Sequence, residues 1–244
     1  LRGEDHMTNS AAQIQLFEAL GSSPPRLGHL SLLTDISGEG LSKRLGSLSL
    51  KDLRQEGFQP MAISSLLSKV GTSDAIDIFK NINQIIDDFD INKFGKSKPK
   101  FDKMELLNLN SKFFQLIDFD DISGQLNTLD FEITTEFWNL IKGNINTFND
   151  IKFWWDIVYG KIKTINDDHE FTHLALKTLP NDSFDKNTWS TWTSLLMKES
   201  GRKGKDLFKP LRLCLTGQNN GPEMANLVLT MGRQKIVERL NNKN

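Results

Sequence analysis

Residues 201–217 read GRKGKDLFKPLRLCLTG, and this stretch has the pattern of a short helix preceded by a basic segment. Pro210 is suited to the first turn of that helix, and the glycine at its end is suited to closing it. Its apolar face consists of Leu211, Cys214 and Leu215. Arg212 therefore lies on another face, where an arginine held by a short helix suits base or phosphate recognition. The alternative for such a charge run is an ordinary solvated helix face.

Helical spacing continues through most of the chain from residue 101 onward. The pattern predicts helices at residues 106–116, 131–141, 150–158, 185–201, 210–216 and 222–231. Before residue 101, Ser10 with Gln13 predicts a capping box, and residues 29–34 predict a short strand. Residues 35–46 form a predicted loop, and lysine-rich residues 93–103 a predicted linker. We therefore expect a mainly α fold whose second half is entirely helical.

The composition excludes several classes of protein and of site. Lys and Arg number 30 against 31 Asp and Glu, so any RNA-binding surface must be a local patch. Cys214 is the only cysteine, which excludes an intramolecular disulfide and a zinc site built from cysteines. The sequence has no uncharged apolar run of the roughly 18 residues that a membrane span requires. The single cysteine fits a reducing cytoplasm, and we expect neither zinc nor a membrane partner.

Residues 40–44, GLSKR, carry a lysine and an arginine in a glycine-containing loop. When a carboxylate attacks the α-phosphate of ATP, negative charge builds on the departing pyrophosphate. Lys43 and Arg44 on a closing loop could meet that charge in the transition state. The ordinary alternative is a solvated basic turn, and the pentapeptide alone does not decide between them.

Other polar and aromatic clusters are less specific. Residues 2–6, RGEDH, could hold an amino acid, a ribose or a metal, but a polar turn after a strand explains them equally well. His169 and His173 are four residues apart with no third metal ligand evident. The tryptophan-rich stretches at residues 153–155 and 189–192 could stack on bases, but burial in the core is the better prediction.

Taken together, these segments resemble bacterial glutamyl-tRNA synthetases, most closely the α-proteobacterial branch. The matching stretches, in the family's order and spacing, are LRGEDH (1–6), GLSKR (40–44), QEGFQP (55–60), GRKGK (201–205), PLR (210–212), LTG (215–217) and GPE (221–223). The family's His-Ile-Gly-His-type signature is absent, so the resemblance implies a fragment that lacks the N-terminal catalytic half. The implied domains are residues 1–34, the end of a Rossmann-type catalytic fold; 35–104, the ATP loop and stem-contact region; and 105–244, an α-helical anticodon-binding domain.

The resemblance implies a ligase of protein biosynthesis that uses ATP and Mg²⁺ to attach L-glutamate to tRNA-Glu, as a cytoplasmic monomer. It assigns the catalytic role to Lys43 and Arg44, ATP binding to Lys43, Asp5 and Ser42, glutamate binding to Arg2, and anticodon contacts to Arg212, Pro222 and Met224. Gly40 stands where the family commonly has a basic residue, and Leu45 where a histidine is frequent. The fragment by itself is expected to be inactive.

Three alternatives remain beside this expectation. The chain could be a tRNA-binding module that performs no chemistry, since its helical part is the most complete. It could belong to an enzyme that also charges tRNA-Gln. A synthetase-like enzyme that modifies a tRNA base is disfavoured, because such proteins lack the helical domain predicted at residues 105–244.

Overall fold

The computed structural model of the chain describes residues 1–41 and 48–241, and helices dominate it. The chain forms two compact units, the first comprising Leu1–Leu116 and the second beginning at Ile117. Within the described residues, the only sheet has two short strands, and both belong to the first unit. The prediction of a mainly α fold is confirmed.

The first unit begins with a small strand–helix–strand arrangement. Strand β1 (Arg2–Gly3) pairs in parallel with β2 (His29–Leu30), with Arg2 opposite His29. A 3-10 helix at Glu4–Asn9 and helix α1 (Ser10–Ala19) connect them. Residues 1–33 contain no buried side chain, and Thr34 is the first buried residue.

The core of the first unit lies among the helices that follow. These helices are α2 (Leu50–Gln55), α3 (Pro60–Lys69), α4 (Ile82–Asp88), a 3-10 turn at Ile91–Lys93 and α5 (Lys103–Leu116). Helix α3 packs along α5. Side chains from α2, α3 and α5 form the core, including Leu53, Leu66, Leu106 and Leu109.

The lysine-rich segment predicted as a linker is bound to the rest of the first unit. The Thr34 amide donates to the Pro99 carbonyl at 2.9 Å, and the Phe101 amide donates to the Thr34 carbonyl at 2.7 Å. Lys93 pairs with Asp74 at 2.8 Å. Backbone pairing therefore holds residues 99–101 alongside the end of the strand region.

The second unit is helical throughout its described part, Ile117 to Asn241, as predicted. Its helices are α6 (Phe119–Leu126), α7 (Thr135–Ile141), α8 (Asp150–Val158), α9 (His169–Lys177), α10 (Thr188–Ser200), α11 (Lys205–Thr216) and α12 (Met224–Asn241). Helix α12 packs against α7, α8, α9, α10 and α11. It is broken at Gly232, where φ is 71° and ψ is 165°.

Several predicted helix boundaries were wrong. Helix α11 begins at Lys205 and contains Pro210 in its interior. The proline removes one backbone donor, but Leu207 and Leu211 are fully buried on either side of it, and their packing holds the helix together. Helix α12 begins at Met224, two residues after the predicted start, and its break at Gly232 lies where the predicted helix ends; a second helical segment continues to Asn241.

The predicted capping box of α1 was also wrong. The helix has no side-chain cap, and its N-cap residue is Asn9. The Ser10 hydroxyl and the Gln13 side-chain carbonyl instead accept hydrogen bonds from the Arg2 guanidinium. A charged donor therefore occupies both groups that the capping box would have used.

Candidate functional site

Two of the predicted anticodon residues are in direct contact. Arg212 is in α11, and its Nη2 atom donates to the carbonyl oxygen of Pro222 at 3.0 Å. Pro222 is buried, in the segment that connects α11 to α12. Met224, the first residue of α12, is 7% exposed. The structure thus joins Arg212 to Pro222 directly, and Met224 follows two residues later at the start of α12.

The second guanidinium nitrogen of Arg212 is unpaired. Its Nη1 atom is buried and has no hydrogen-bond partner among the described residues. Burial lowers the pKa of the Arg212 guanidinium, because a charged group is less favourable away from water. A buried donor left without an acceptor costs about 1–3 kcal/mol. Nη1 is therefore a donor without a partner among the described residues, and an acceptor reaches it only when the groups that cover it move.

Local hydrogen bonds fix the turn after Arg212. The Thr216 hydroxyl donates to the Arg212 carbonyl at 2.7 Å and accepts from the Gln218 amide at 3.0 Å. Gly217 ends α11 with a left-handed backbone, φ 68°. The chain therefore turns sharply at the end of α11, and this turn brings Pro222 back beside Arg212.

A tryptophan for which core burial was the better sequence prediction supports this turn. Trp154 is 5% exposed, which confirms its predicted burial. Gly221 lies so close to it that an added Cβ would overlap Cη2 of the indole and lie 3.0 Å from Cζ3. The signal was present in the sequence as an FWW triplet and a glycine before Pro222, but nothing in the pattern linked the two.

Three of the four basic residues of segment 201–209 line a cavity of about 560 Å³. Its charged lining residues are Asp167, Asp168, Arg202, Lys205, Asp206 and Lys209. Three acidic and three basic side chains balance one another, and Arg202 pairs with Asp168 at 2.6 Å. The cavity is therefore not a strongly basic pocket, although the sequence concentrates basic residues there.

The Arg2 side chain in the first unit is held by several partners. Its Nε atom donates to Nε2 of His29 at 2.9 Å, and its terminal nitrogens donate to Ser10 and Gln13. Nε2 of His29 is the acceptor in this bond. Asp5 is about half exposed and lies 4.0 Å from His6. Arg2 is thus fixed in position, whereas Asp5 faces solvent.

The predicted ATP-loop residues Ser42, Lys43 and Arg44 lie outside the described residues. The segment before them is organised around Asp35, whose Oδ1 accepts from the Ser37 hydroxyl at 2.6 Å and from the Glu39 amide at 2.9 Å. The bond from Ser37 is the main cause that lowers the pKa of Asp35. Thr34 forms an antiparallel bridge with Gly40.

The described residues contain no group of three or more His, Cys, Asp or Glu side chains placed to hold a metal ion. We therefore assign no ligand for Mg²⁺ to this part of the chain. In the same residues, no helix combines the length and the apolar character needed to cross a membrane.

Comparison with protein families gives two adjoining matches. Residues 105–243, more than half of the chain, match the family described as "Anticodon binding domain". The chain belongs to this family. Residues 1–108 match "tRNA synthetases class I (E and Q), catalytic domain". Arg212 and Pro222 thus lie in the range that matches the anticodon-binding family. Arg2 and the predicted ATP loop lie in the range that matches the catalytic domain.

Curated relatives of the chain are glutamate–tRNA ligases. Glutamate–tRNA ligase 1 of Maricaulis maris is 42% identical over 241 residues, and the enzyme of Azospirillum brasilense is 43% identical over 242. Each alignment covers 98% of this chain and 54% of the relative, so the chain spans about half the length of these relatives. Both organisms are α-proteobacteria, and the resemblance to this branch of the glutamyl-tRNA synthetases is confirmed.

Two solved structures have the same fold. A glutamate tRNA ligase from Elizabethkingia meningosepticum, in complex with its amino acid, aligns with a TM-score of 0.77 at 21% identity. The glutamate–tRNA synthetase of Elizabethkingia anophelis aligns with a TM-score of 0.75 at 23% identity. Each alignment covers 98% of this chain and 55% of the other.

Proposed function

We propose that this chain provides the tRNA-binding part and the ATP loop of a glutamate–tRNA ligase, which attaches L-glutamate to tRNA-Glu with ATP and Mg²⁺. The observation that carries the proposal is the unpaired Nη1 of Arg212 beside Pro222, within an anticodon-binding domain. Homology to glutamate–tRNA ligases over 98% of the chain supports the same conclusion.

The proposed role of Arg212 is to read an anticodon base. Its Nη2 is held by the Pro222 carbonyl, so the guanidinium orientation is set before RNA binds. The remaining nitrogen can then donate to a carbonyl oxygen or ring nitrogen on an unstacked base. Pro222 and Met224 are buried, so their proposed part is to hold the backbone that orients Arg212. Binding here would relieve the cost of the unpaired donor.

Binding of tRNA by the chain itself tests this role. A tRNA-Glu transcript should bind with an affinity that falls as salt rises, because phosphate contacts release counterions. A transcript with its three anticodon nucleotides replaced should bind more weakly. Arg212→Ala should weaken binding of the tRNA-Glu transcript by about 1–3 kcal/mol and reduce the difference between the two transcripts.

Arg233→Ala provides a matched control. Arg233 is an exposed arginine of α12 that, like Arg212, donates to a backbone carbonyl, in this case Pro180 at 3.0 Å. It carries the same charge, so its loss reports the general electrostatic contribution. Equal effects of the two substitutions, or equal binding of the two transcripts by the unmodified chain, would refute the role of Arg212.

In the proposed reaction, Lys43 and Arg44 stabilise the charge that develops on pyrophosphate, with Ser42 and Asp5 at the ATP. Arg2 binds the carboxylate of glutamate, and the bonds from Arg2 to His29, Ser10 and Gln13 support a fixed guanidinium there. In a ligase that contains this sequence, Lys43→Ala should slow pyrophosphate exchange by the equivalent of about 3–4 kcal/mol. An unchanged exchange rate would remove Lys43 from the mechanism.

Further parts of the proposal are a cytoplasmic location, a monomeric state and the three-part division at residues 34/35 and 104/105. The choice between tRNA-Glu alone and both tRNA-Glu and tRNA-Gln is tested by the same binding assay with a tRNA-Gln transcript. An affinity for tRNA-Gln equal to that for tRNA-Glu would indicate a ligase that charges both. Light scattering at micromolar concentration tests the monomeric state.

A further inference from the structure

We propose that Trp154 is a positioning residue for anticodon recognition, acting through Gly221 and Pro222 on the guanidinium of Arg212. This inference rests on the proposed function of Arg212. Trp154 is held at both ends of its side chain: its helix, α8, is packed against α12, and its indole Nε1 donates to the Asn144 carbonyl at 3.1 Å. The ring therefore presents a fixed surface.

Gly221 lies directly on that surface. A Cβ at this position would overlap Cη2 of the indole and lie 3.0 and 3.1 Å from Cζ3 and Cζ2. All three atoms belong to the six-membered ring of Trp154. The absence of a side chain at residue 221 thus lets the backbone lie in van der Waals contact with the ring, and the ring determines how closely the backbone approaches α8.

The next residue transmits this position to Arg212. Pro222 follows Gly221 directly and its ring restricts φ, so the position of Gly221 limits where the Pro222 carbonyl can lie. That carbonyl accepts the hydrogen bond from Nη2 of Arg212 at 3.0 Å. The plane of the guanidinium contains both terminal nitrogens, so a carbonyl that fixes Nη2 also fixes the direction of the unpaired Nη1.

The end of α8 is itself held in place. Arg239, which is 1% exposed, donates through Nη2 to the carbonyls of Ile157 at 3.1 Å and Gly160 at 3.0 Å. These bonds satisfy carbonyls at the C-terminus of the helix that carries Trp154. The path from α8 to Arg212 is therefore continuous through Trp154, Gly221 and Pro222.

The competing explanation is that Trp154 only fills the core. A core role predicts lower stability when the ring shrinks, but no change in the preference for the correct anticodon. A positioning role predicts that this preference falls as well. The ratio of affinities for the tRNA-Glu transcript and the anticodon-replaced transcript separates the two explanations, since loss of folded protein affects both affinities equally.

The test measures that ratio for Trp154→Phe, Gly221→Ala and the double variant, at a temperature where each is folded by circular dichroism. Trp154→Phe removes the ring atoms that support Gly221, and Gly221→Ala pushes the backbone away from them. Each single variant should lower the ratio by about tenfold, as expected for one lost base contact. In the double variant the smaller ring removes the overlap, but φ of +148° still strains alanine at residue 221, so the ratio should fall by less than the product of the two single losses without being restored.

Trp192→Phe is the matched control. Trp192 is fully buried in α10, and its Nε1 likewise donates to a backbone carbonyl, that of Ala175 at 2.9 Å. The Trp192→Phe variant should be less stable, but its ratio of affinities for the two transcripts should not change. Equal ratios for Trp154→Phe and Trp192→Phe, or a loss in the double variant equal to the product of the two single losses, would overturn the inference while leaving the proposed function intact. If the unmodified chain shows no anticodon preference, the proposed function fails and the inference fails with it.

Discussion

Nη2 of Arg202 lies 2.6 Å from Oδ2 of Asp168, so the segment after α10 is tied to the start of α9. Asp168 is also the N-cap of α9, where its Oδ1 accepts from the Phe171 amide at 3.0 Å. The Arg202 guanidinium lies 4.7 Å from the centroid of the Phe171 ring. The pKa of the Asp168 carboxyl is lowered, mainly by the hydrogen bond from the Phe171 amide and next by the one from Arg202.

Asp168 should therefore stabilise the fold in a pH-dependent way. Its folded-state pKa is lowered, so its contribution is present above the ordinary aspartate pKa and is lost as the pH falls through the folded value. Asp168→Ala should cost about 1 kcal/mol at pH 7, mainly through the lost cap. The ion pair adds less than about 1 kcal/mol, since both side chains are 36% exposed. Urea unfolding at pH 7 and pH 3 measures the difference in stability between Asp168→Ala and the unmodified chain. This difference should be smaller at pH 3.

Asp168→Asn is the control for this prediction, because asparagine keeps an oxygen that can cap α9 but has no charge. At pH 7 the free energy of unfolding of Asp168→Asn should be close to that of the unmodified chain. A loss for Asp168→Ala that is the same at both pH values would show that the carboxylate charge plays no part.

Gly217 should be the most sensitive of the helix-ending glycines in the second unit. Its φ is +68°, and an added Cβ would lie 2.8 Å from the carbonyl oxygen of Lys163. Gly217→Ala combines the cost of a left-handed alanine, about 1–2 kcal/mol, with that of a close contact to backbone, typically another 1–3 kcal/mol. Thermal and urea unfolding would measure the sum.

Gly201 separates these two contributions. Its φ is +69°, but an added Cβ would meet no atom within 4 Å. Gly201→Ala should therefore cost only the backbone strain. If the two alanine variants are equally stable, the approach to Lys163 can relax at no cost, and the close contact contributes nothing.

Periodic apolar residues predicted the helical class, because they are local signals, whereas the association of Arg212 with Pro222 came only from the family resemblance. The sequence could not predict contacts between distant segments. The Ser10 and Gln13 pattern failed because Arg2 binds both side chains, and the Pro210 boundary failed because packing of Leu207 and Leu211 outweighs one lost backbone bond. The support of Gly221 by Trp154 joins residues 67 positions apart, and no periodicity indicates such a pair. The role of Lys43 and Arg44 stays a prediction.

Cys214 should be protected from thiol reagents in the folded protein. It is 3% exposed, and burial raises the pKa of its thiol, so little reactive thiolate forms near neutral pH. It is the only cysteine, so every modified molecule reports this position. Labelling with a chromogenic disulfide reagent should be slow in buffer and should accelerate as urea unfolds the second unit. Rapid stoichiometric labelling in buffer would contradict the buried position.

Arg239 should contribute far more to stability than Arg233, although both are arginines of α12 that donate to backbone carbonyls. Arg239 is 1% exposed and donates to two carbonyls at the end of α8, whereas Arg233 is exposed. Arg239→Ala removes the donor to the Ile157 carbonyl and opens a cavity, for a combined cost of about 3–5 kcal/mol, although the Gly160 carbonyl keeps its bond from Lys235 at 3.0 Å. Arg233→Ala should remain within about 0.5–1 kcal/mol of the unmodified chain, because water replaces its partners. Urea unfolding of the two variants under identical conditions compares them, and similar midpoints would mean that α12 does not depend on Arg239 to hold α8.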